Sequence, residues 1–169
     1  MPISMYQTSV PIFIRMLTSL DVILRKGAAF AEARKIDPTL MVNSRLYPDM
    51  FPLSRQIQIA SDTAKGAAAR LAGMEPPKYE DIEANFDDLR VRLQKTITYL
   101  ESFKPEQING SEERTVTLNH HGEEVRYTGL NYLLESVLPN FFFHVTTAYD
   151  ILRHCGLEIG KKDYLGVLQ

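Results

Sequence analysis

GMEPPKYEDIEANFDD, residues 73–88, lies between two segments of helical periodicity and decides how they are arranged. Its glycine suits the left-handed position that ends a helix. The pair Pro76-Pro77 stiffens the chain that follows and withholds two backbone donors. Asn85 with Asp88 resembles a capping box, with Asp88 in place of the usual glutamate, so a new helix is predicted to start at Phe86. Roughly twelve linker residues at about 3.3 Å each span about 40 Å. That is enough to run back along the preceding helix, which would make the helices on either side parallel neighbours. A helix start as early as Glu80 would weaken that inference.

Working outward, the helix before the linker places Leu53, Ile57, Ala60, Ala64, Ala68 and Leu71 on one face, and its small alanines let a neighbour approach closely. The helix after it carries Phe86, Leu89, Leu93, Ile97, Leu100 and Phe103, and ends near Pro105 and Asn109-Gly110. At the N-terminal side, Val10, Phe13, Ile14, Leu17, Leu20, Leu24 and Ala28 form a first amphipathic helix, with Thr8 or Ser9 as N-cap and Pro11 in its first turn. A second apolar line of Ile12, Met16 and Ile23 predicts cover on two sides. Residues 34–56, with Pro38, Pro48 and Pro52, read as short turns and a loop. Asp49 is placed to cap the next helix with Pro52 in its first turn.

RTVTLNHHGEEVRYTG, residues 114–129, alternates β-branched and aromatic residues about Gly122 and reads as a β-hairpin. A lone hairpin is marginal, so it should lie on the helices. The last helix is predicted from about Gly129 to Cys155. Its inner stripe is Leu130, Leu134, Val137, Phe141, His144, Ala148, Ile151, Leu152 and Cys155, with a kink over residues 135–140 caused by Pro139. A second stripe of Leu138, Phe142, Val145 and Tyr149 must be covered by the hairpin, the chain's own tail or a second copy. The reading is an all-α, four-helix bundle with a crossover between its second and third long helices and a hairpin before the fourth. A chain of 169 residues suits one domain, residues 1–169.

A net charge of −2 with no Lys/Arg cluster gives no electrostatic footprint for nucleic acid or a lipid surface. Cys155 is the single cysteine, which excludes an internal disulfide and fits a reducing cytoplasm. MPISMYQTSV lacks the basic and apolar regions of a signal peptide, and no apolar run reaches the roughly 20 residues of a membrane span. The expectation is a soluble cytoplasmic protein.

Candidate chemistry centres on His144, the histidine of the inner stripe, with Asn140 one turn earlier at its edge. His144 reads either as a core imidazole with a quiet hydrogen bond, as part of a ligand pocket, or as a metal ligand. Gln56 and Ser61 flank the facing stripe of the second long helix and could meet His144 across the bundle, or satisfy one another or water. Arg45, Tyr47 and Asp49 form a polar cluster that either lines a pocket mouth or makes a cap and an ion pair, Arg45 and Asp49 being four apart. Cys155 reads as an inert core thiol, because a helix C-terminus disfavours a thiolate. His120-His121 fall in the hairpin turn, and His154 on the surface. No phosphate loop, HExxH, GxSxG or GxGxxG occurs.

The stretches MYQTSVPIFIRML, RLYPDMFPLSRQIQIASD, AKGAAARLAG and PNFFFHVTTAYDILRHCGLEIGKKDYLG resemble a family of small bacterial proteins with a domain of unknown function, grouped in the DinB/YfiT-like superfamily of four-helix bundles. The resemblance covers nearly the whole chain. It implies an up-down-down-up bundle and homodimers, which would occupy the second stripes of the first and fourth long helices. Many superfamily members bind a divalent metal through one histidine of the second helix and an HxxxH pair of the fourth. His144, twelve residues before Gly156, matches the second of that pair, while Asn140 holds the first position and QIQIAS, residues 56–61, has no histidine. The superfamily's metal site is thus degenerate here, and no cofactor is expected. Three functions follow as expectations: a binder of a small molecule or partner at His144, a thiol-dependent transferase or metal-assisted enzyme using His144, or a structural, stress-related interaction protein.

Overall fold

The computed structural model describes residues 3–120 and 122–166, His120 by its backbone alone. In chain order the elements are α1 (Val10–Arg34), a short α2 (Pro38–Val42), α3 (Leu53–Leu71), α4 (Phe86–Glu101) and a turn of helix α5 (Pro105–Ile108). Strands β1 (Thr115–His120) and β2 (Glu123–Thr128) follow, then α6 (Gly129–Asn131), a π-helical segment (Tyr132–Val137), α7 (Leu138–His154) and a short α8 (Lys161–Leu165). The protein is mostly helical with one small antiparallel sheet.

Four long helices share one core. Phe13, Leu17 and Leu24 of α1, Ile57 and Ala64 of α3, Leu89 and Leu93 of α4, and Phe141 and Leu152 of α7 are all buried in a single cluster. Between α1 and α4, Arg90 Nε donates to Asp21 Oδ1 at 3.0 Å. Further along, the ring of Phe86 occupies the space beside Gly27, where a Cβ would sit 2.9 Å from it. Between α1 and α7, Phe13 meets Phe141 edge to face at 4.9 Å, and Leu152 lies beside Gly27. Helix α3 meets α7 through Thr63 with Asn140 and Gln56 with His144.

Caps set the boundaries of the crossover. Gly73 takes φ +73° directly after α3, the left-handed conformation that glycine adopts without a Cβ penalty. Asn85 Oδ1 accepts from Asp88 N at 2.9 Å and starts α4. The Asp88 carboxylate reaches one residue further back than in a standard box, accepting from Ala84 N at 3.0 Å. Residues 74–84 have no regular structure and are tied down by charge. The buried Arg92 of α4 donates to Glu80 O (3.1 Å), Glu83 Oε1 (2.9 Å), Asp62 Oδ1 (2.8 Å) and Ser61 Oγ (3.3 Å), and pairs with Asp81 at 3.0 Å. Lys65 pairs with Asp62, and Lys65 and Lys95 stand 4.3 and 4.1 Å from the ring centre of Tyr79. Arginine's planar fork can serve several acceptors at once, which suits it to this junction.

Several expectations change. Asp49 does not cap α3: Pro52 holds the N-cap position and no side chain caps the helix. Ser9 stands at the N-cap of α1, but its hydroxyl donates to Met5 O at 2.6 Å instead of accepting a capping bond. The helix drawn from Gly129 to Cys155 is interrupted by the π-helical segment that ends just before Pro139. Leu130 and Leu134 are consequently exposed at 40% and 49%, and Leu133, with Tyr132, is buried instead. Proline lacks the N–H of an α-helical bond, and the i→i+5 pattern ahead of it adds a residue to the turn, rotating the upstream stripe by one position.

The hairpin packs on the core, and the tail covers part of the second stripe of α7. Val116 is buried, and Leu118 and Tyr127 pack on the core. The carbonyl of Ser111 approaches Gly129 so closely that a Cβ there would lie 1.9 Å from it. After α7, Leu157 and Ile159 are buried, and α8 docks on α1 through Asp163 and Lys26 at 2.5 Å. Tyr164 lies edge-on to Tyr149 at 5.9 Å. Of the two second stripes, Met16, Ile23 and Val145 are buried within the single chain, and Ile12, Leu138, Phe142 and Tyr149 are half-buried.

Candidate functional site

Gln56, in the first turn of α3, is buried and donates from Nε2 to Phe51 O at 3.1 Å. That bond sets the orientation of the amide, so Oε1 faces α7, where His144 Nδ1 lies 2.6 Å away. An amide oxygen only accepts, so Nδ1 carries the proton and Nε2 of the neutral ring keeps a lone pair. No partner for Nε2 occurs among the described residues. His144 is 7% exposed and lines a groove, so its ring is reached from that side. Burial, and secondarily the positive charge of Arg55, push the His144 pKa below the ordinary histidine value. The imidazole is therefore neutral at pH 7, oriented, and open on one side.

That open side faces a groove of about 1190 Å³ walled by α3, β1, the π-helical segment and the start of α7. His144 and Asn140 both line it. Asn140 Nδ2 donates to Thr63 Oγ1 at 2.9 Å, tying α7 to α3 along the groove floor. The remaining wall is mixed, with Val116, Leu118 and Phe143 beside Arg70 and Arg114.

Ser61 does not join His144. It shares a buried hydrogen bond with Thr96 at 2.7 Å and accepts from Arg92, on the side of α3 that faces α4. Arg45 donates to Met50 O at 3.1 Å and makes no ion pair with Asp49 among the described residues, so the spacing of four produced a turn-stabilising arginine in a non-helical loop. Arg45 lines a separate depression with His154 and Cys155, and Tyr47 is exposed. Cys155 is half-buried, not sealed in the core, because α7 ends there and the chain turns away at Gly156. The hairpin-turn reading of His120-His121 falls on the His120 side chain and on His121, which lie outside the described residues.

The superfamily's metal does not fit the residues present. The Asn140 amide nitrogen is committed to Thr63, and the Gln56 oxygen to His144. Nε2 of one imidazole is left, beside neutral amides that are poor transition-metal donors. No group of three or more His, Cys, Asp or Glu among the described residues could hold a metal ion. No helix among them is long and apolar enough to cross a membrane.

Sequence periodicity found His144 and Asn140 but missed three neighbours. Phe51 acts through its backbone carbonyl, which no pattern of side chains reveals. Arg70 and Arg114 come from distant segments that meet only when the hairpin folds over the end of α3. A faint signal exists for Arg70, which follows Gly66 by four residues on one helical face.

A family model described as "Domain of unknown function (DUF1993)" matches residues 5–165. Among solved structures, the chain is similar to a DinB family member protein from Shewanella denitrificans at 43% identity and a TM-score of 0.86, covering 96% of this chain and 92% of that one. No curated protein matches the chain.

Proposed function

The chain belongs to the DUF1993 family, and on that premise we propose that it binds a small organic ligand in the groove, with the His144 Nε2 lone pair as hydrogen-bond acceptor. The observation that carries this reading is the Gln56–His144 bond, which leaves a neutral, oriented imidazole with one free nitrogen facing a groove. A screen of small molecules by thermal shift at pH 7.5 tests it. A ligand at a hundredfold excess over its Kd stabilises by about 2.7 kcal/mol, and a domain of this size gains about 2–4 °C per kcal/mol. His144→Ala should abolish the shift. Hits that bind this variant equally well would refute the role of His144.

The pH dependence has a definite sign. The folded pKa of His144 lies below the unfolded one, near 6.5, so the unfolded chain binds the extra proton first. The contribution of the neutral ring to stability is present above about pH 6.5 and is lost as the pH falls through the folded pKa. Ligand affinity should fall over the same range, because a protonated Nε2 no longer accepts.

A second reading has the same support: a neutral imidazole is also a general base, and an enzyme would use Nε2 to take a substrate proton. Turnover of a bound ligand, lost in His144→Ala, separates it from simple binding. We also read the four long helices as an up-down-down-up bundle in one domain. In support, α1 and α7 pair in the same order along the chain, through Phe13–Phe141 and Gly27–Leu152. Pairing of α1 with α4 and of α3 with α7 runs in opposite order. A cytoplasmic location fits the lone Cys155 thiol. A homodimer would use the half-buried Ile12, Leu138 and Phe142. Light scattering would then give a mass near twice 19.3 kDa, and a mass of one chain would dismiss it.

A further inference from the structure

We propose that the groove takes an elongated monoacid, its apolar body along β1 and α7 and its carboxylate or phosphate held by Arg70, with Arg114 adding positive charge beyond it. This deepens the ligand-binding reading and rests on it.

The two ends of the groove differ in chemistry and are far apart. Gln56, which marks the His144 end, and Arg70 are 14 residues apart on α3, an axial distance of about 21 Å. The Arg70 side chain folds back over Gly66, where an added Cβ would lie 2.5 Å from Nη1, so the guanidinium sits roughly one turn closer to His144 than its Cα. Nη1 donates to Tyr132 Oη at 3.0 Å, which fixes the half-buried fork against the π-helical segment. Arg114, just before β1, lays its guanidinium over Gly73, where a Cβ would lie 2.0 Å from Nη1. Both side chains thus rest on glycines of the same helical wall, two turns apart.

Neither guanidinium pairs with a carboxylate among the described residues, although Glu75 and Glu135 also line the groove. A partly buried guanidinium is usually matched by an anion, and its fork suits a carboxylate or phosphate. The same wall carries Val116, Leu118 and the 54%-exposed Phe143, which calls for an apolar body. The wall carboxylates of Asp62, Glu75 and Glu135 would repel a polyanion, and this selects a single acid group over a nucleotide-like ligand.

Isothermal titration with octyl phosphate, octanoate and octanol, on the full chain at pH 7.5, reads the proposal. The acids should bind at least tenfold more tightly than octanol. In Arg70→Gln/Arg114→Gln the Kd of the acids should rise at least tenfold, with that of octanol unchanged. Arg114→Gln alone removes an exposed guanidinium and should raise the acid Kd at least threefold, so the test stands even where the double variant fails to fold. Equal affinity for octanol and the acids, or an unchanged acid Kd in either arginine variant, overturns the inference. The ring nitrogens of His144, followed by NMR in the same titrations, keep the two readings apart. Probes that perturb Nε2 while the arginine variants bind normally sink this inference alone.

Discussion

Arg92→Met is expected to lower the unfolding free energy by about 3–5 kcal/mol, the range found when one partner of a buried ion pair is removed. The Arg92 side chain is 2% exposed, and its closest carboxylate partner in burial, Glu83, is 9% exposed. Burial opposes the charge on Arg92, yet the bond to Glu83 and the charges of Asp62, Glu83 and Asp81 hold its pKa above the ordinary arginine value. Methionine would fill much of the volume but leave the Glu83 carboxylate with Gln58 Nε2 as its remaining bonded partner, at 2.8 Å. Asp62 and Asp81 are each 39% exposed, so solvent screens their share and the loss comes mainly from Glu83 and the orphaned Ser61 and Glu80 acceptors. Urea denaturation gives the number directly, and a loss below about 1 kcal/mol would show the network to be ornamental. Limited proteolysis should also cut first within residues 74–84 in the variant, since Arg92 ties that segment to α3 and α4.

Leu133→Ala and Leu134→Ala should differ sharply, although the two residues are neighbours of the same type. Leu133 is fully buried, and truncating it should cost about 2–5 kcal/mol. Leu134 is 49% exposed, and its truncation should stay within about 0.5 kcal/mol. An unbroken α-helix from Gly129 predicts the reverse, because it places Leu134 on the inner stripe with Val137 and Phe141. Parallel denaturation curves decide between the two phases. Equal costs, or a larger cost at Leu134, would remove the π-helical turn from the account of this helix.

That comparison also shows where sequence periodicity holds and where it fails. The stripes of α1, α3 and α4 were legible because each is an uninterrupted α-helix, for which spacings of three and four place residues on one face. Glycine and asparagine marked the end of α3 and the start of α4 correctly, since the left-handed φ of Gly73 and the side-chain cap of Asn85 are local properties. The hairpin was legible for the same reason. Pro139 was correctly read as a disturbance, but its consequence was not. A missing N–H can be absorbed by a kink or by a wider turn, and the choice depends on what packs upstream, here Tyr132 and Leu133 against the core.

At the site, periodicity placed His144 inward and offered Gln56 as a group that could meet it or be satisfied elsewhere; the structure pairs the two. Periodicity also grouped Ser61 with them, and the structure separates Ser61 toward Arg92 and Thr96. The difference is a matter of angle: residues five apart on a helix point about 140° from each other, so a stripe edge shared in one dimension faces two different neighbours in three. The Arg45–Asp49 pair failed because a spacing of four implies proximity only within a helix, and residues 43–52 are not helical.

By itself, then, the sequence determined the long helices and the hairpin, along with the inward position of His144, because all of these follow from short-range sterics and hydrophobic periodicity. Tertiary structure alone decided the helical phase ahead of Pro139, the charged clasp of Arg92, the protonated nitrogen of His144, and the placing of Arg70 and Arg114 on one groove. Each of these depends on which atoms from distant segments come within hydrogen-bond or contact distance. Such distances are set by the packing of the whole chain and are not encoded in the spacing of any one segment.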